Sequence, residues 1–253
     1  MEKENNVQID QSVLAVLSNA QAEGNAVSLA GQLDRKLYER TDKVLRAAGG
    51  AWNRKARAHI FNGDAAARIE QIILTGEIAV PKDEFNYFPT PSTVAKLVLE
   101  LGEIEPGMRV LEPSAGQGEL ARWCCRAGGV VDCYELMDEN YAVLSEAPCF
   151  FAAVQQIDFL TVHAQPIYDR VIMNPPFMKQ ADVHHVMHAH KFLKPGGRLI
   201  AIMSAGVTFR ENRLTVSFRE LVRDRGGFIE TLPEGSFKAS GTMVNTVVVV
   251  IPA

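Results

Sequence analysis

From about residue 85 onward, short apolar runs alternate with stretches in which apolar residues recur at helical spacing. This alternation is typical of a mostly parallel β-sheet that is covered by helices on both faces. We therefore expect a doubly wound α/β domain with a seven-stranded sheet. The predicted strands are Arg109 to Leu111, Val130 to Tyr134, Phe150 to Val154, Arg170 to Met173, Leu199 to Met203, Phe228 to Leu232 and Thr246 to Ile251.

The last predicted strand differs from the others, because Val247 to Ile251 is apolar at every position. A continuous apolar run indicates a strand that is buried on both faces. The segment before it contains Pro233, Gly235 and Gly241 and is too short to hold a crossover helix. We therefore expect an antiparallel last strand.

Residues 1–82 differ in composition, since they are more polar, favour helix and contain few β-branched runs. They end at Pro81-Lys82-Asp83-Glu84, which is typical of a linker. The pattern predicts a small α-rich domain over residues 1–82 and a larger α/β domain over residues 83–253.

A formal net charge of −4 over 253 residues argues against a general polyanion binder of the histone sort, so any basic surface must be local. Residues 35–57 hold eight basic and two acidic side chains, and cations in such a stretch can neutralise phosphates. A solvated helix face is the alternative interpretation, and we expect Trp52 to anchor the core of the small domain rather than to contact bases. The candidate nucleic-acid residues are Arg35, Lys36, Arg40, Lys43, Trp52, Asn53, Arg54, Lys55 and Arg57, with Arg210 and Arg213 as a second surface.

Several sites and locations are disfavoured. No run approaches the roughly 18 apolar residues that span a bilayer, and the first ten residues do not resemble a signal peptide, so we expect a cytoplasmic protein. His184 and His188 share a helix face, but no Glu or Cys completes a metal site, so we expect a polar helix face that Asp182 caps. Buried reduced thiols are expected, without metal or disulfide, at Cys124, Cys125, Cys133 and Cys149.

A glycine-rich turn follows the first predicted strand of the larger domain, in Glu112-Pro113-Ser114-Ala115-Gly116-Gln117-Gly118. Glycine lets the backbone approach a ligand, and the N-terminus of the next helix attracts anionic groups. Glu135 ends the next strand, where a carboxylate can accept both hydroxyls of a ribose. The pair predicts a cofactor that contains adenosine. The turn lacks the third glycine of the dinucleotide fingerprint and any Gly-Lys-Ser/Thr, which argues against NAD and against a P-loop.

Two further segments could belong to the same site. Asp158 follows the third strand, where it could accept a hydrogen bond from an adenine amino group or simply cap a helix. Phe88-Pro89-Thr90-Pro91 precedes a helix predicted from Ser92 to Leu101. Its backbone and the Thr90 hydroxyl could close over the amino-acid end of the cofactor, and a proline-rich helix start is the alternative.

The sequence Asn174-Pro175-Pro176-Phe177 directly follows the fourth strand, at the sheet edge where open α/β folds hold their active sites. Two prolines make the loop rigid and leave the Pro175 carbonyl free to accept. If it and the Asn174 side-chain oxygen each accept one N–H of an exocyclic amine, the nitrogen becomes pyramidal and its lone pair can attack a methyl group. Phe177 offers a face on which a planar substrate can stack.

Taken in this order, these motifs resemble those of the class I S-adenosylmethionine-dependent amino-methyltransferases, specifically the DNA adenine-N6 enzymes, over about residues 85–253. The resemblance implies a Rossmann-like methyltransferase fold with S-adenosyl-L-methionine as cofactor. It implies catalysis by Asn174, Pro175, Pro176 and Phe177. It implies contacts to the methionine moiety from Thr90, Glu112, Ser114 and Gly116, to the ribose from Glu135 and to the adenine from Asp158, in a site completed by Phe88, Pro91, Pro113, Ala115, Gly118 and Asn174.

The implied activity is N6 methylation of an adenine that is flipped out of DNA. No recognition domain stands between the glycine turn and the catalytic loop or after the last strand, so we expect residues 1–82 to contact DNA and two copies to pool this surface in a homodimer. No nuclease-like motif accompanies the chain, so we expect a stand-alone enzyme of an orphan or mobile-element kind. An RNA base methyltransferase, a protein glutamine methyltransferase and a cofactor-binding module without activity are the alternatives.

Overall fold

The computed structural model describes residues 9–61, 63–77, 88–146, 151–240 and 242–253. The expected linker at residues 81–84, together with Cys149, Phe150 and Gly241, lies outside the described residues. The chain divides into two compact units, which are Met1–Asp83 with Gly206–Val216, and Glu84–Ala205 with Ser217–Ala253. The sequence assigned residues 206–216 to the larger domain, whereas the structure places them with the smaller one.

The first unit combines helices with a small sheet. Its helices are α1 (Gln11–Ser18), α2 (Arg35–Ala47) and α3 (Ala65–Thr75), and its strands are β1 (Gln21–Glu23), β2 (Ala26–Ser28), β3 (Ala51–Asn53) and β4 (Ala58–Ile60). The strands form an antiparallel sheet in the order β1-β2-β4-β3. Helices hold most of the regular structure, as expected, whereas the sheet was not predicted, because three-residue strands are too short to show the alternation of apolar and polar positions that marks a strand.

Local sequence explains where the helices of this unit begin. Asp10, Asp34 and Asp64 are the N-caps, and each carboxylate accepts a hydrogen bond from a backbone N–H of the first turn. The apolar faces of the helices then meet in one core that includes Leu17, Leu45 and Ile72. Full burial of a leucine side chain contributes about 2 kcal/mol, so this core is the main source of the unit's stability.

The second unit contains a seven-stranded sheet, as predicted. Its strands are β5 (Arg109–Glu112), β6 (Val130–Glu135), β7 (Ala153–Gln156), β8 (Tyr168–Met173), β9 (Leu193–Ser204), β10 (Phe228–Thr231) and β11 (Thr246–Pro252). They lie in the order β10-β11-β9-β8-β5-β6-β7. The strands β5 to β9 pair in parallel, whereas β11 is antiparallel to both β9 and β10, so the prediction of an antiparallel last strand is confirmed.

Helices follow the strands in the expected rhythm. They are α4 (Ser92–Gly102), α5 (Glu119–Arg126), α6 (Asp138–Ser145), α7 (Ala181–Ala189) and α8 (Arg213–Asp224). Strand β9 begins at Leu193, ahead of the predicted start at Leu199, and its pairing with β8 shifts register between Tyr168 and Arg170. Every residue of β11 from Thr246 to Ile251 is buried, as the continuous apolar run indicated.

The order of the strands fixes the position of the site. The chain winds from β5 outward to β6 and β7 on one side and then returns to β8 on the other. Ligands of open α/β folds bind where the strand order reverses, at the carboxyl ends of the strands. Glu112 and Glu135 end β5 and β6, and Asp158 and Asn174 follow β7 and β8. All four side chains therefore belong to one edge of the sheet.

Candidate active site

A cleft of about 350 Å³ lies at this edge, within the second unit. Its lining contains every predicted catalytic residue and most of the predicted cofactor residues. These are Phe88, Thr90, Glu112, Pro113, Ser114, Ala115, Gly116, Glu135, Asp158, Asn174, Pro175, Pro176 and Phe177. Pro91 and Gly118 are not part of the lining. Pro91 is the N-cap of α4, and Gly118 is the N-cap of α5.

The glycine turn is held by hydrogen bonds to the neighbouring strand. The Gly116 N–H donates to Glu135 Oε2 at 2.7 Å, and the Ala115 N–H donates to the Tyr134 carbonyl at 2.9 Å. Gly116 and Gly118 have left-handed φ values of 55° and 85°. A larger residue at Gly118 would be strained by the left-handed backbone, and its Cβ would lie 2.7 Å from Leu144 Cδ1, so the leucine side chain would have to shift.

Glu135 is buried at the end of β6 and accepts two backbone hydrogen bonds, one on each oxygen. Besides the bond from Gly116, Oε1 accepts from the Met137 N–H at 2.8 Å. A carboxylate has about four acceptor positions, so each oxygen keeps one for a further donor. Two such positions fit the two hydroxyls of a ribose.

Glu112 presents an incomplete hydrogen-bonding shell. Its side chain is buried, and Oε2 has no hydrogen-bond partner among the described residues. Burial raises the pKa of Glu112 well above its ordinary value, and the nearby charge of Glu135 acts in the same direction. A buried carboxyl without a partner is costly in the free protein, and a cationic donor in the cleft would satisfy it.

Asn174 has a fixed orientation. Its Nδ2 donates to Thr90 Oγ1 at 3.1 Å and to the Phe88 carbonyl at 3.3 Å, so the amide nitrogen faces two acceptors. The amide oxygen therefore points the other way. Asn174 Oδ1 is buried and has no partner among the described residues. The sequence placed Thr90 at the cofactor, and the structure adds that its hydroxyl orients Asn174.

The rest of the catalytic loop is compact. Pro175 and Phe177 are buried whereas Pro176 is exposed, and no donor in the described part of the chain bonds to the Pro175 carbonyl. Directly after the loop, Lys179 and Gln180 adopt left-handed φ values of 54° and 60°. Consecutive left-handed residues other than glycine are strained, which is common beside functional sites.

The cleft also holds residues that the sequence did not predict, which are Glu119, Leu120, Leu136, Met137, Asn140, Ile157, Phe159 and His185. Among them, His185 contacts the glycine turn through its side chain. It lies on α7, and its Nδ1 is 3.1 Å from the Ser114 hydroxyl. Burial lowers the pKa of His185 to about 4, so the ring is neutral at pH 7. No spacing rule marks His185, because it meets the glycine turn only through the packing of α7. The histidines were considered only as metal ligands.

Asp158 is the cap that was expected at its position, and its contact with an adenine amino group stays a prediction. It lines the cleft, and its Oδ1 also accepts from the Leu160 N–H at 2.9 Å as the cap of a short 3-10 turn. The residue after it, Phe159, is buried and packs 5.6 Å from the Tyr134 ring and 5.0 Å from the His188 ring, measured between centroids. This packing fixes the wall of the cleft.

The predicted nucleic-acid residues divide into two groups. Arg35 and Arg40 pair with Glu39 and Asp10, and Lys36 and Lys43 are exposed on α2. Arg54, Lys55 and Arg57 are exposed between β3 and β4, together with Asn53. Trp52 is 40% exposed, so the expectation that it anchors the core is wrong.

Of the second predicted nucleic-acid surface, Arg210 and Arg213, only Arg213 is exposed. Arg210 is buried, and its guanidinium lies 2.9 Å and 3.0 Å from the two carboxylate oxygens of Glu70. An arginine in such a pair is not open to a phosphate, so its assignment to an exposed surface is wrong. Arg213 is exposed at the start of α8.

The expected thiols and histidines have structural surroundings. Cys124 and Cys133 are buried and Cys125 is partly buried, and all three are free thiols. His188 and His190 contact the carbonyl oxygens of Val162 and Pro252. Within the described ranges no three His, Cys, Asp or Glu side chains come together as a metal site. The helices among these residues include none that is long and apolar enough to cross a membrane.

Comparisons with known proteins agree with this geometry. A family model described as the methyltransferase small domain matches residues 93–228. A Listeria monocytogenes structure described as a class I S-adenosylmethionine-dependent methyltransferase is similar with a TM-score of 0.56 and 14% identity, over 74% of this chain and 67% of that chain. A Pyrococcus horikoshii structure described as an RNA methyltransferase gives a TM-score of 0.51 and 23% identity, over 68% and 90%.

A dimethyladenosine transferase from Plasmodium falciparum gives a TM-score of 0.50 and 15% identity, over 66% of this chain and 64% of that chain. Identities this low show a shared fold. No curated protein sequence matches the chain.

Proposed function

Because the chain belongs to the methyltransferase small domain family, we propose that it transfers a methyl group from S-adenosyl-L-methionine to the N6 amine of an adenine in DNA. The methyltransferase activity and its cofactor follow from the family. The choice of adenine and of DNA is the proposal. It rests on the loop Asn174 to Phe177 and on the basic surface of the first unit.

The cleft fits the cofactor at both ends. The open acceptor positions of Glu135 suit the ribose hydroxyls, and Glu112 Oε2 suits the amino group of the methionine moiety. His185, held neutral by burial, adds no positive charge beside the sulfonium. When bound, the cofactor supplies an electrophilic methyl group, and the residues of the chain must bring a nucleophile into line with it.

The observation that carries the proposal is the unpartnered Asn174 Oδ1. An acceptor that is buried without a donor costs about 1–3 kcal/mol, and a substrate N–H would remove this cost. An exocyclic amine has two N–H groups, one for each of two acceptors, whereas a hydroxyl has a single O–H to share between them. The free Pro175 carbonyl is the second acceptor.

These two acceptors explain how a weak nucleophile can react. The lone pair of the adenine amine is delocalised into the ring. Two hydrogen bonds, one to Asn174 Oδ1 and one to the Pro175 carbonyl, favour a pyramidal nitrogen whose lone pair faces the methyl group. Most of the remaining rate then comes from holding the two reacting atoms in line. After transfer, the nitrogen carries one surplus proton, which passes to water.

Phe177 provides the planar contact that a base requires. Stacking of a base on an aromatic ring contributes about 1–3 kcal/mol. The ring lines the cleft and is otherwise buried. An adenine would reach it after being flipped out of the duplex.

A labelled-methyl assay tests the proposal. Duplex DNA, single-stranded DNA, total RNA and protein are offered separately, and labelled nucleosides are identified by mass spectrometry. We expect label in DNA as N6-methyladenine. Asn174→Ala should reduce turnover by about 100- to 1000-fold, since a preorganised contact to the reacting group is lost, and should leave cofactor affinity within a few-fold.

Gln165→Ala is the matched control, because it removes an exposed amide from the same unit. It should retain the turnover of the wild type. Label found only in RNA or only in protein would contradict the choice of substrate. Near-normal turnover of Asn174→Ala would contradict the role of the loop.

A further inference from the structure

The segment between β3 and β4 forms a rigid, projecting hairpin. Trp52 pairs with His59 and Asn53 with Ala58, which leaves residues 54–57 as the turn. The Asn53 side-chain oxygen accepts the N–H groups of Lys55 and Ala56, both at 3.0 Å. These bonds fix the turn and present its side chains to solvent.

The cations of this turn differ from those of α2. Arg35, Arg40 and Arg46 each lie within 2.8 Å of a carboxylate oxygen. Arg54, Lys55 and Arg57 form no ion pair within the described ranges. Lys36 and Lys43 of α2 are also exposed without an ion pair in the described part of the chain, but they lie seven residues apart, whereas the turn holds three such cations within four residues.

Trp52 is exposed but held in place. Its ring lies 5.1 Å from the His59 ring, measured between centroids, and His59 is buried with Nε2 2.8 Å from Asp42 Oδ1. The indole is thus supported on one side and 40% exposed overall. A ring that is already ordered loses little rotamer freedom when it stacks on a ligand.

Protection of the sheet edge is the simplest explanation of charges on a hairpin such as this. β3 is an edge strand, and lysine or arginine beside an edge prevents pairing with another chain. This explains the cations but not Trp52, because an exposed tryptophan on an edge strand promotes association. All three residues of β3 are exposed, whereas Ala58 and His59 of β4 are buried.

We infer that the β3–β4 hairpin, rather than helix α2, is the element of the first unit that binds duplex DNA. Arg54, Lys55 and Arg57 contact phosphates, and Trp52 contacts a base or sugar at the groove. A two-stranded ribbon fits the major groove, which supports this choice of partner. The inference rests on the proposed function, since it requires a nucleic-acid substrate, and it names the part of the chain that holds it.

Fluorescence anisotropy with a labelled DNA duplex, measured from 50 to 300 mM NaCl, tests the hairpin. Each phosphate contact contributes about 0.9 to the slope of log K against log salt. Reversal of Arg54 and Lys55 to Glu should weaken binding at least tenfold and reduce that slope by about 2. Reversal of Arg35 and Lys36 to Glu makes the same change of charge on α2 and should leave the slope unchanged.

Trp52 gives a second measurement. The chain has two tryptophans, so Trp123→Phe leaves Trp52 as the only indole. We expect DNA to quench its emission, Trp52→Ala to weaken binding about tenfold and Trp52→Phe to restore most of the affinity. Circular dichroism melts of each variant verify that the unit remains folded.

The outcomes separate the inference from the proposed function. If the wild type methylates duplex DNA while the hairpin variants bind it as tightly as the wild type, the hairpin is not the binding element and the proposed function stands. A loss of slope caused by the α2 reversal instead would also overturn the inference and leave the proposed function standing. If the wild type binds RNA but no DNA duplex, the proposed substrate is wrong as well.

Discussion

The cleft of the second unit and the hairpin of the first hold their polar groups in opposite ways. In the cleft, Asn174 and Glu112 are packed among apolar atoms with one oxygen each left without a partner among the described residues. On the hairpin, Arg54, Lys55 and Arg57 stay in water, where unpaired charge costs little. The cleft therefore holds a few polar atoms whose burial is costly, whereas the hairpin holds several charges that each cost little.

Thr90→Val should give the largest effect among these variants, a loss of turnover. It tests whether activity depends on the buried polar atoms of the cleft. Valine fills the same volume but cannot accept from Asn174 Nδ2, so the amide loses one of its two anchors. We expect kcat to fall about 100-fold with little change in cofactor affinity, and Thr90→Ser to restore most of the loss. Steady-state kinetics and calorimetric cofactor titration measure the two quantities. A change confined to cofactor affinity would make Thr90 a cofactor contact alone.

The pH dependence of stability should depend on His185. Because burial lowers its pKa to about 4, the unfolded chain takes up a proton below pH 6.5 that the folded protein does not. Stability therefore falls by about 3 kcal/mol between pH 6.5 and 4. His185→Asn can keep a contact with Ser114 but does not titrate there, so its denaturant midpoint should fall less over that range. Parallel curves for the two proteins would contradict this burial.

Glu112→Gln tests whether the buried carboxyl of Glu112 lowers the free energy of unfolding of the protein without cofactor. Burial raises the pKa of Glu112, so the folded protein keeps a proton that the unfolded chain releases as the pH rises above 4.5. The stability of the wild type therefore declines with rising pH, and the glutamine variant should be more stable at pH 8 by about 1–3 kcal/mol. It should bind the cofactor more weakly. Urea unfolding at pH 5 and 8 measures the stability, and calorimetry measures the cofactor affinity. Equal stability of the two proteins at pH 8 would mean that burial of the Glu112 carboxyl does not destabilise the fold.

Arg40→Ala should give the smallest effect and tests the second half of the comparison. The ion pair of Arg40 with Asp10 joins two exposed side chains, and such pairs are screened by salt. We expect no resolvable change in melting temperature at 0.5 M NaCl. A clear loss of stability at that ionic strength would show that the surface charges of the first unit hold the fold rather than serve a partner.

The larger unit could be predicted from the sequence because most of its inner strands are buried on both faces, whereas the edge strands β7 and β10 are partly exposed. Thr246 to Ile251 is buried throughout, and a fully buried strand is an apolar run. The site followed from topology, since Glu112 and Asn174 each stand at the end of a recognised strand. A residue such as His185 could not be placed in this way, because its contact with Ser114 depends on how α7 packs.

The strands of the smaller unit could not be predicted from the sequence, for a physical reason. They have three residues each, which is too few for an alternation of apolar and polar residues to mark a strand, and β3 is exposed at every position. The burial of Arg210 was hidden for a different reason. Its partner Glu70 is 140 residues away in sequence, and such a pairing has no local signature.

The assignment of residues 206–216 to the first unit has a consequence for inheritance and engineering. Phe209 packs against the core of that unit and Arg210 pairs with Glu70, so the chain enters the first unit twice. A single crossover between two genes would transfer one of these two segments without the other. The buried Arg210 guanidinium could then lack its carboxylate partner. The first unit should therefore not exchange between relatives as a single contiguous segment, because residues 1–83 must vary together with residues 206–216.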